Sequence, residues 1–348
     1  NMIKFSRRIF MAILLDKNEN PFEMSLEIKK AVMEEISRLF FSRYPDPDYR
    51  ILREKLGALA GLPGDVVIPG NGGDEILWMV FSCFVRPGDT VLGFSPTFSE
   101  YYRLAELFGA RFTTVPIGLE GDEPDFNFPL FLETIEREKP TVVLLDTPNN
   151  PTGKTLPVPF LNEVLSSAGN SIVLIDEAYG EFASETYLES IRGKKVPPGA
   201  IVLKTLSKAW GLAGIRLGWA YCGSVSLDKM KKARSPFNVN IFSRTVAEIV
   251  LDHPGEARSS SIRIKELREY VRNRINGMKG WRAFNGQGNF LLLSIPRPED
   301  CVRSAAGEQF AFKYMDLTPG IKETRSWIRL TIGREDEMEE ALRFFASL

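Results

Sequence analysis

The stretch that decides the fold is Ala200–Gly218, "AIVLKTLSKAWGLAGIRLG". Its opening run, Ala200-Ile201-Val202-Leu203, is short and continuously apolar, as in a strand buried on both faces of a largely parallel sheet. Lys208 then stands among Thr205, Leu206, Ser207, Ala209, Trp210 and Gly211 rather than in charged company, with Arg216 eight residues on. A lysine leaving a buried strand has a lowered proton affinity if it is desolvated, which makes it a nucleophile and a base. Arg216 suits an anion, because its guanidinium is a fork of donors. The plainer reading is a lysine that snorkels out of the core.

Similar runs lie upstream at Thr90–Phe94 (TVLGF), Thr141–Leu145 (TVVLL) and Ser171–Ile175 (SIVLI), with helical patterning at Pro129–Glu138 and Pro157–Ser167. Leu217–Cys222 (LGWAYC) reads as a further strand. This alternation predicts an α/β chain, a large domain with a mostly parallel sheet flanked by helices. Beyond it, a charged helical stretch, Ser259–Met278, leads to Asn289–Ser294 and Trp327–Ile332, the strands of a smaller α+β domain. The expected division is an N-terminal segment, 1–43, joining the small domain, then the large domain, 44–236, and the small domain, 237–348. With 348 residues, 44% of them hydrophobic, the chain can bury two cores. There is no internal repeat and no low-complexity segment.

The polar clusters follow the strands. "SPTF", "DTPNNPTG", "DEAYGEF" and "KTLSK" come after the runs at 90, 141, 171 and 200. In open α/β sheets the ligand crevice lies at the carboxyl ends of the strands, so the four clusters should converge on one site. A fifth, Pro69–Leu77 (PGNGGDEIL), places Gly72 and Gly73 before Asp74-Glu75 and an apolar helical stretch, where free backbone N–H groups suit an anion. Each has a bland alternative: a capped glycine loop, an Asn-Pro-Gly turn, a helix-capping Asp176, a core Phe98.

Composition narrows the chemistry. A net charge of −1 argues against nucleic acid and against an anionic membrane surface. Cys83, Cys222 and Cys301 are odd in number and far apart, which suits a reducing compartment and neither a disulfide framework nor a zinc knuckle. The one histidine, His253, excludes a multi-histidine metal site, and no metal is expected. Proton chemistry therefore falls to lysine, tyrosine or carboxylates. The apolar run Ile9–Leu15 lacks a following small-residue cleavage site, and no stretch approaches the roughly 20 apolar residues of a membrane span. A soluble cytoplasmic protein is expected.

In their order along the chain, "KNENPF" (17–22), "RYPDP" (43–47), "GNGGDE" (70–75), "SPTFSEY" (95–101), "PNNPTG" (148–153), "DEAY" (176–179), "TLSKAWGLAGIRLG" (205–218), "PFNVN" (236–240) and "IRLTIG" (328–333) resemble the fold-type I aminotransferases that use pyridoxal phosphate. The resemblance is strongest to their histidinol-phosphate branch. It implies that Lys208 links covalently to the cofactor and then shuttles the substrate proton. Thr205, Ser207 and Arg216 would hold the phosphate, with the amides around Gly72, Gly73 and Asp74. Asp176 would pair with the ring nitrogen, Asn150 and Tyr179 with the ring oxygen, and Phe98 would stack on the ring. Asn20, Asn150, Asn238 and Arg329 would face the substrate, Arg329 clamping its carboxylate. Tyr44 would reach the cofactor phosphate of a second subunit, so a homodimer with shared sites is implied, acting on an amino donor and a keto-acid acceptor.

Two stretches depart from the family's pattern, both on the substrate side. Residues 1–15 contain no tyrosine, and 314–326 (YMDLTPGIKETRS) fits poorly before the arginine strand. The competing readings are a related aromatic aminotransferase, a threonine-phosphate decarboxylase sharing the fold and, from another class, a non-catalytic binding protein built on it.

Overall fold

The computed structural model describes residues 12–317 and 326–348. In chain order the strands are β1 (Ile13–Leu15), β2 (Val67–Gly70), β3 (Thr90–Ser95), β4 (Arg111–Gly118), β5 (Asp125–Phe126), β6 (Val142–Asp146), β7 (Ile172–Asp176), β8 (Ala200–Thr205), β9 (Gly218–Cys222), β10 (Arg282–Ala283), β11 (Phe290–Ile295), β12 (Phe310–Met315) and β13 (Ser326–Thr331). Eight of them form one sheet in the order β2-β9-β8-β7-β6-β3-β4-β5. The pairings from β8 through β4 are parallel, and β9 runs against both β8 and β2. The expected α/β class is the one observed.

Period-two geometry explains why these runs are apolar throughout. Val142, Leu144, Ile172, Leu174, Ile201 and Leu203 face one side, packing with Ile76, Val80 and Leu104 of helices Gly73–Phe84 and Ser99–Leu107. Their neighbours Val143, Leu145, Val173, Ile175 and Val202 face the other, against Leu52, Phe131 and Leu161. On that side Phe94 stacks on Phe131 with ring centroids 4.3 Å apart, an arrangement that adds about 0.5–1.5 kcal/mol beyond burial.

The second sheet, β1-β12-β13-β11-β10, is antiparallel except where β1 joins β12. Its core gathers Leu15, Val271, Phe290, Ile328 and Phe345. β1 thus ties the N-terminal segment to the small domain. Ile28 and Val32 of helix Leu26–Ser37, however, enter the large core, as do Val246, Ala247 and Val250 of helix Ile241–Val250. Helix Ile241–Val250, which the expected division assigns to the small domain, therefore packs its apolar face into the core of the large sheet.

The departing stretches at 1–15 and 314–326 include residues 1–11 and 318–325, which lie outside the described residues. No helix among the described residues is long and apolar enough to cross a membrane.

Candidate active site

At the carboxyl ends of β6, β7 and β8 a cleft of about 220 Å³ opens between the sheets. Its walls carry Gly73 and Asp74 from a helix start, Phe98 from the loop after β3, and Asn150 from the turn after β6. Asp176 ends β7 and Tyr179 follows it, Thr205 ends β8 with Ser207, Lys208 and Arg216 beyond it, and Arg329 enters from β13 of the second sheet. Six stretches spread over more than 250 residues of sequence thus meet in one place.

One end of the cleft has the donors that suit an anion. Gly72 precedes the helix Gly73–Phe84 with φ at +84°, and no side chain caps the helix. A Cβ there would lie 2.4 Å from Arg216 Nη2, so only glycine leaves the guanidinium its place. Arg216 itself sits at φ +54°, a left-handed conformation unusual for a residue with a side chain. Its Nη2 pairs with Asp74 at 2.9 Å, while Nη1 donates to the Ser207 hydroxyl at 3.5 Å. Thr205 donates its hydroxyl to Ser207 at 3.0 Å, which completes a cluster of small donors beside the helix start.

The other end is acidic and buried. Asp176 accepts from the Ala178 amide and from the Tyr101 hydroxyl, each at 2.9 Å. Burial pushes the Asp176 carboxyl above the usual range, against those two donors and the nearby charge of Lys204. Asp176 does cap the following turn, as its plainer reading held, yet it also lines the cleft. Tyr101 was not singled out in the sequence. Its place in "SPTFSEY", one helical turn beyond Phe98, was the available signal.

Lys208 lies between the two ends. Its Nζ donates to the Lys17 carbonyl at 3.0 Å and stands 5.7 Å from the centre of the Tyr179 ring. Tyr179 accepts from Asn18 Nδ2 at 2.9 Å, which leaves its own hydroxyl proton free to donate. Arg329 donates from Nη1 to Asn150 Oδ1 at 2.7 Å and from Nη2 to the Asp16 carbonyl at 2.5 Å. Its Nε is buried with no partner among the described residues, and burial lowers its pKa.

Of the expected side chains, those of Asn20, Asn238 and Tyr44 stand outside the cleft wall. Asn20 donates to the Ala209 carbonyl at 3.0 Å and to Ser260 at 2.7 Å, and its oxygen caps the Phe22 amide. It is a strut, and of the two asparagines in "NENP" it is Asn18 that touches a cleft residue. Asn238 is bonded to Glu75 at 2.8 Å and to Arg234 at 3.3 Å. Tyr44 is 80% exposed and stacks on Phe237 at 4.4 Å. His253 does not line the cleft either; it precedes helix Pro254–Asn276.

Residues 11–345 match the family described as aminotransferase class I and II. The chain is 32% identical to the histidinol-phosphate aminotransferase of Chlorobium luteolum over 333 residues, 95% of this chain and 90% of that one. It is 36% identical to the Thermococcus kodakarensis enzyme of the same name over 281 residues, 81% and 79% of the two chains. Among solved structures, histidinol-phosphate aminotransferase from Sinorhizobium meliloti, in complex with pyridoxal-5′-phosphate, superposes with a TM-score of 0.83 at 22% identity, covering 97% of this chain and 91% of that one.

Proposed function

The chain belongs to the aminotransferase class I and II family, whose members are enzymes that use pyridoxal phosphate, and we propose that it transfers the amino group of histidinol phosphate to 2-oxoglutarate. The observation that carries the reading is the placement of Lys208 in one cleft with a buried carboxylate, Asp176, and with the anion-binding end around Arg216. The named activity of the relatives at 32% and 36% identity supports the substrate.

The donor set fits the cofactor. A Cβ at Gly72 would fill the cradle beside Arg216, and the uncapped helix start adds backbone donors to it. That end would hold the phosphate, through Arg216, Ser207, Thr205 and the amides near Gly73. When bound, pyridoxal phosphate supplies an electron sink for negative charge developing at the substrate α-carbon.

The chain's own residues do the rest. Asp176, buried and anchored by Tyr101, holds a proton on the ring nitrogen. Asn150 has its oxygen committed to Arg329, which leaves its amide N–H groups to donate to the ring oxygen beside the Tyr179 hydroxyl. Phe98, which lines the cleft, would cover the ring. The Lys208 amine takes the proton from the substrate α-carbon and returns it, as base and then acid. Arg329 offers its guanidinium to the carboxylate of glutamate, whereas histidinol phosphate, an amino alcohol ester, has none to offer.

The active unit in this reading is a homodimer. Phe40 and Tyr44 are 75% and 80% exposed, and Phe41 packs on the partly exposed Phe242 at 5.1 Å. This apolar face runs from 40 to 44 onto 237–242, with Phe237 held at φ +58° beneath the Tyr44 ring.

A substrate panel tests the activity. Purified protein with pyridoxal phosphate should convert 2-oxoglutarate to glutamate at the expense of histidinol phosphate. Carbon dioxide release from threonine phosphate without keto-acid turnover would establish the decarboxylase instead. Turnover of phenylalanine or tyrosine alone would establish an aromatic aminotransferase.

A further inference from the structure

The cleft contains a second buried carboxylate that the chemistry above leaves without a task. Asp146 ends β6 directly beside Asp176 in the parallel register and is 6% exposed. Its Oδ1 accepts from the Thr97 hydroxyl at 2.9 Å and from the Asn149 side-chain amide at 3.0 Å. Its Oδ2 accepts from the Asn150 backbone amide at 2.8 Å. One side chain thus joins the loop bearing Phe98 to the turn bearing Asn150. No lysine or arginine pairs with it among the described residues.

We propose that Asp146 is a positioning residue for the cofactor: it latches the Thr97–Phe98 loop to the Asn149–Asn150 turn, and its charge beside Asp176 strengthens the grip of Asp176 on the protonated ring nitrogen. The inference rests on the pyridoxal phosphate reading of the same cleft. A neighbouring negative charge raises the proton affinity of a carboxylate, so Asp176 becomes a better acceptor while Asp146 is ionised.

Burial pushes the Asp146 carboxyl up to about 7, with the Asp176 charge adding to it against the three donors. The latch is therefore half charged near that value, mostly charged one pH unit above it and mostly neutral one unit below. The titratable and charged groups around it are Asp176 from β7, Tyr101 and Tyr102 from the helix after β3, and Asp74 from the helix after β2. Across the cleft stand Tyr179, Lys208, Arg216 and Arg329. Lys204 of β8 acts on Asp176.

The test is equilibrium titration of the apoenzyme with pyridoxal phosphate, from one pH unit below the Asp146 value of about 7 to one above it. At the alkaline end Asp146→Asn should bind about tenfold more weakly than wild type, the equivalent of one pKa unit of interaction. The gap should close toward the acid end, where the wild-type carboxyl is itself neutral. Thr97→Val removes one donor to the ionised carboxylate, so the pH at which wild-type binding strengthens should move upward in that variant. Equal affinity of Asp146→Asn and wild type at every pH, or a deficit that does not change with pH, overturns the proposal. If Asp146→Asn does not fold, an unmoved midpoint in Thr97→Val overturns it. A wild-type chain that binds no pyridoxal phosphate overturns the proposed function itself, and this inference with it.

Discussion

Arg329 lines the cleft with two nitrogens bonded to Asn150 and Asp16, so a carboxylate that displaces either bond gains the guanidinium's charge. A charge-assisted pair of this kind contributes about 1.5–3 kcal/mol. Arg329→Ala should therefore slow the glutamate half-reaction by that amount and the histidinol phosphate half-reaction much less. Equal losses in single-turnover measurements would make the arginine a structural bridge to Asn150. Lys208→Ala should lose both the visible absorbance of the covalently held cofactor and nearly all turnover. Normal turnover in that variant would exclude Lys208 as the proton carrier. Asp176→Asn should fold yet lose several orders of magnitude in rate, because the ring nitrogen would lose its anionic partner. A loss below tenfold would leave Asp176 as no more than the cap on Ala178.

At the scale of elements, the proposed anion site is the start of helix Gly73–Phe84 and the strand end that feeds it, with Gly72 at their junction. Gly72→Ala combines a strained φ of +84° with a Cβ 2.4 Å from Arg216 Nη2, so the guanidinium must move. Strain of that kind costs of order 1–3 kcal/mol. Pyridoxal phosphate should dissociate faster from this variant, with the fold retained. Gly88→Ala is the control: its φ is +88°, but nothing lies within 4 Å of the added Cβ. It should lose stability without losing cofactor affinity, and a similar cofactor defect in both would deny Gly72 its part in the site.

For the whole molecule the question is whether two chains complete each other's sites. Tyr44 lies outside its own cleft wall and on an exposed apolar face. Mixing inactive Lys208→Ala subunits with impaired Tyr44→Phe subunits should raise activity if Tyr44 serves the second chain. A heterodimer would then carry one site with both lesions and one with neither. Absence of recovery, once subunit exchange is demonstrated, would place Tyr44 outside a shared site.

The sequence by itself determined the α/β class, the central strands to within a residue or so at each end, and most of the cleft wall. These follow from local rules: buried strands must be apolar on both faces, and polar residues gather where such strands end. The half-exposed β4 and the two-residue β5 and β10 carry no such run, and β1 is the end of an apolar run, Ile9–Leu15, that nothing in the sequence marks as a strand. Only the tertiary structure decided that Asn18 rather than Asn20 touches Tyr179, that Tyr101 anchors Asp176, and that helix Ile241–Val250 covers the large sheet. It also placed Asp146 beside Asp176, a pairing set by the register of two strands 30 residues apart. A carboxylate's role depends on the charges and donors around it in space, and at this site those neighbours come from other strands and loops.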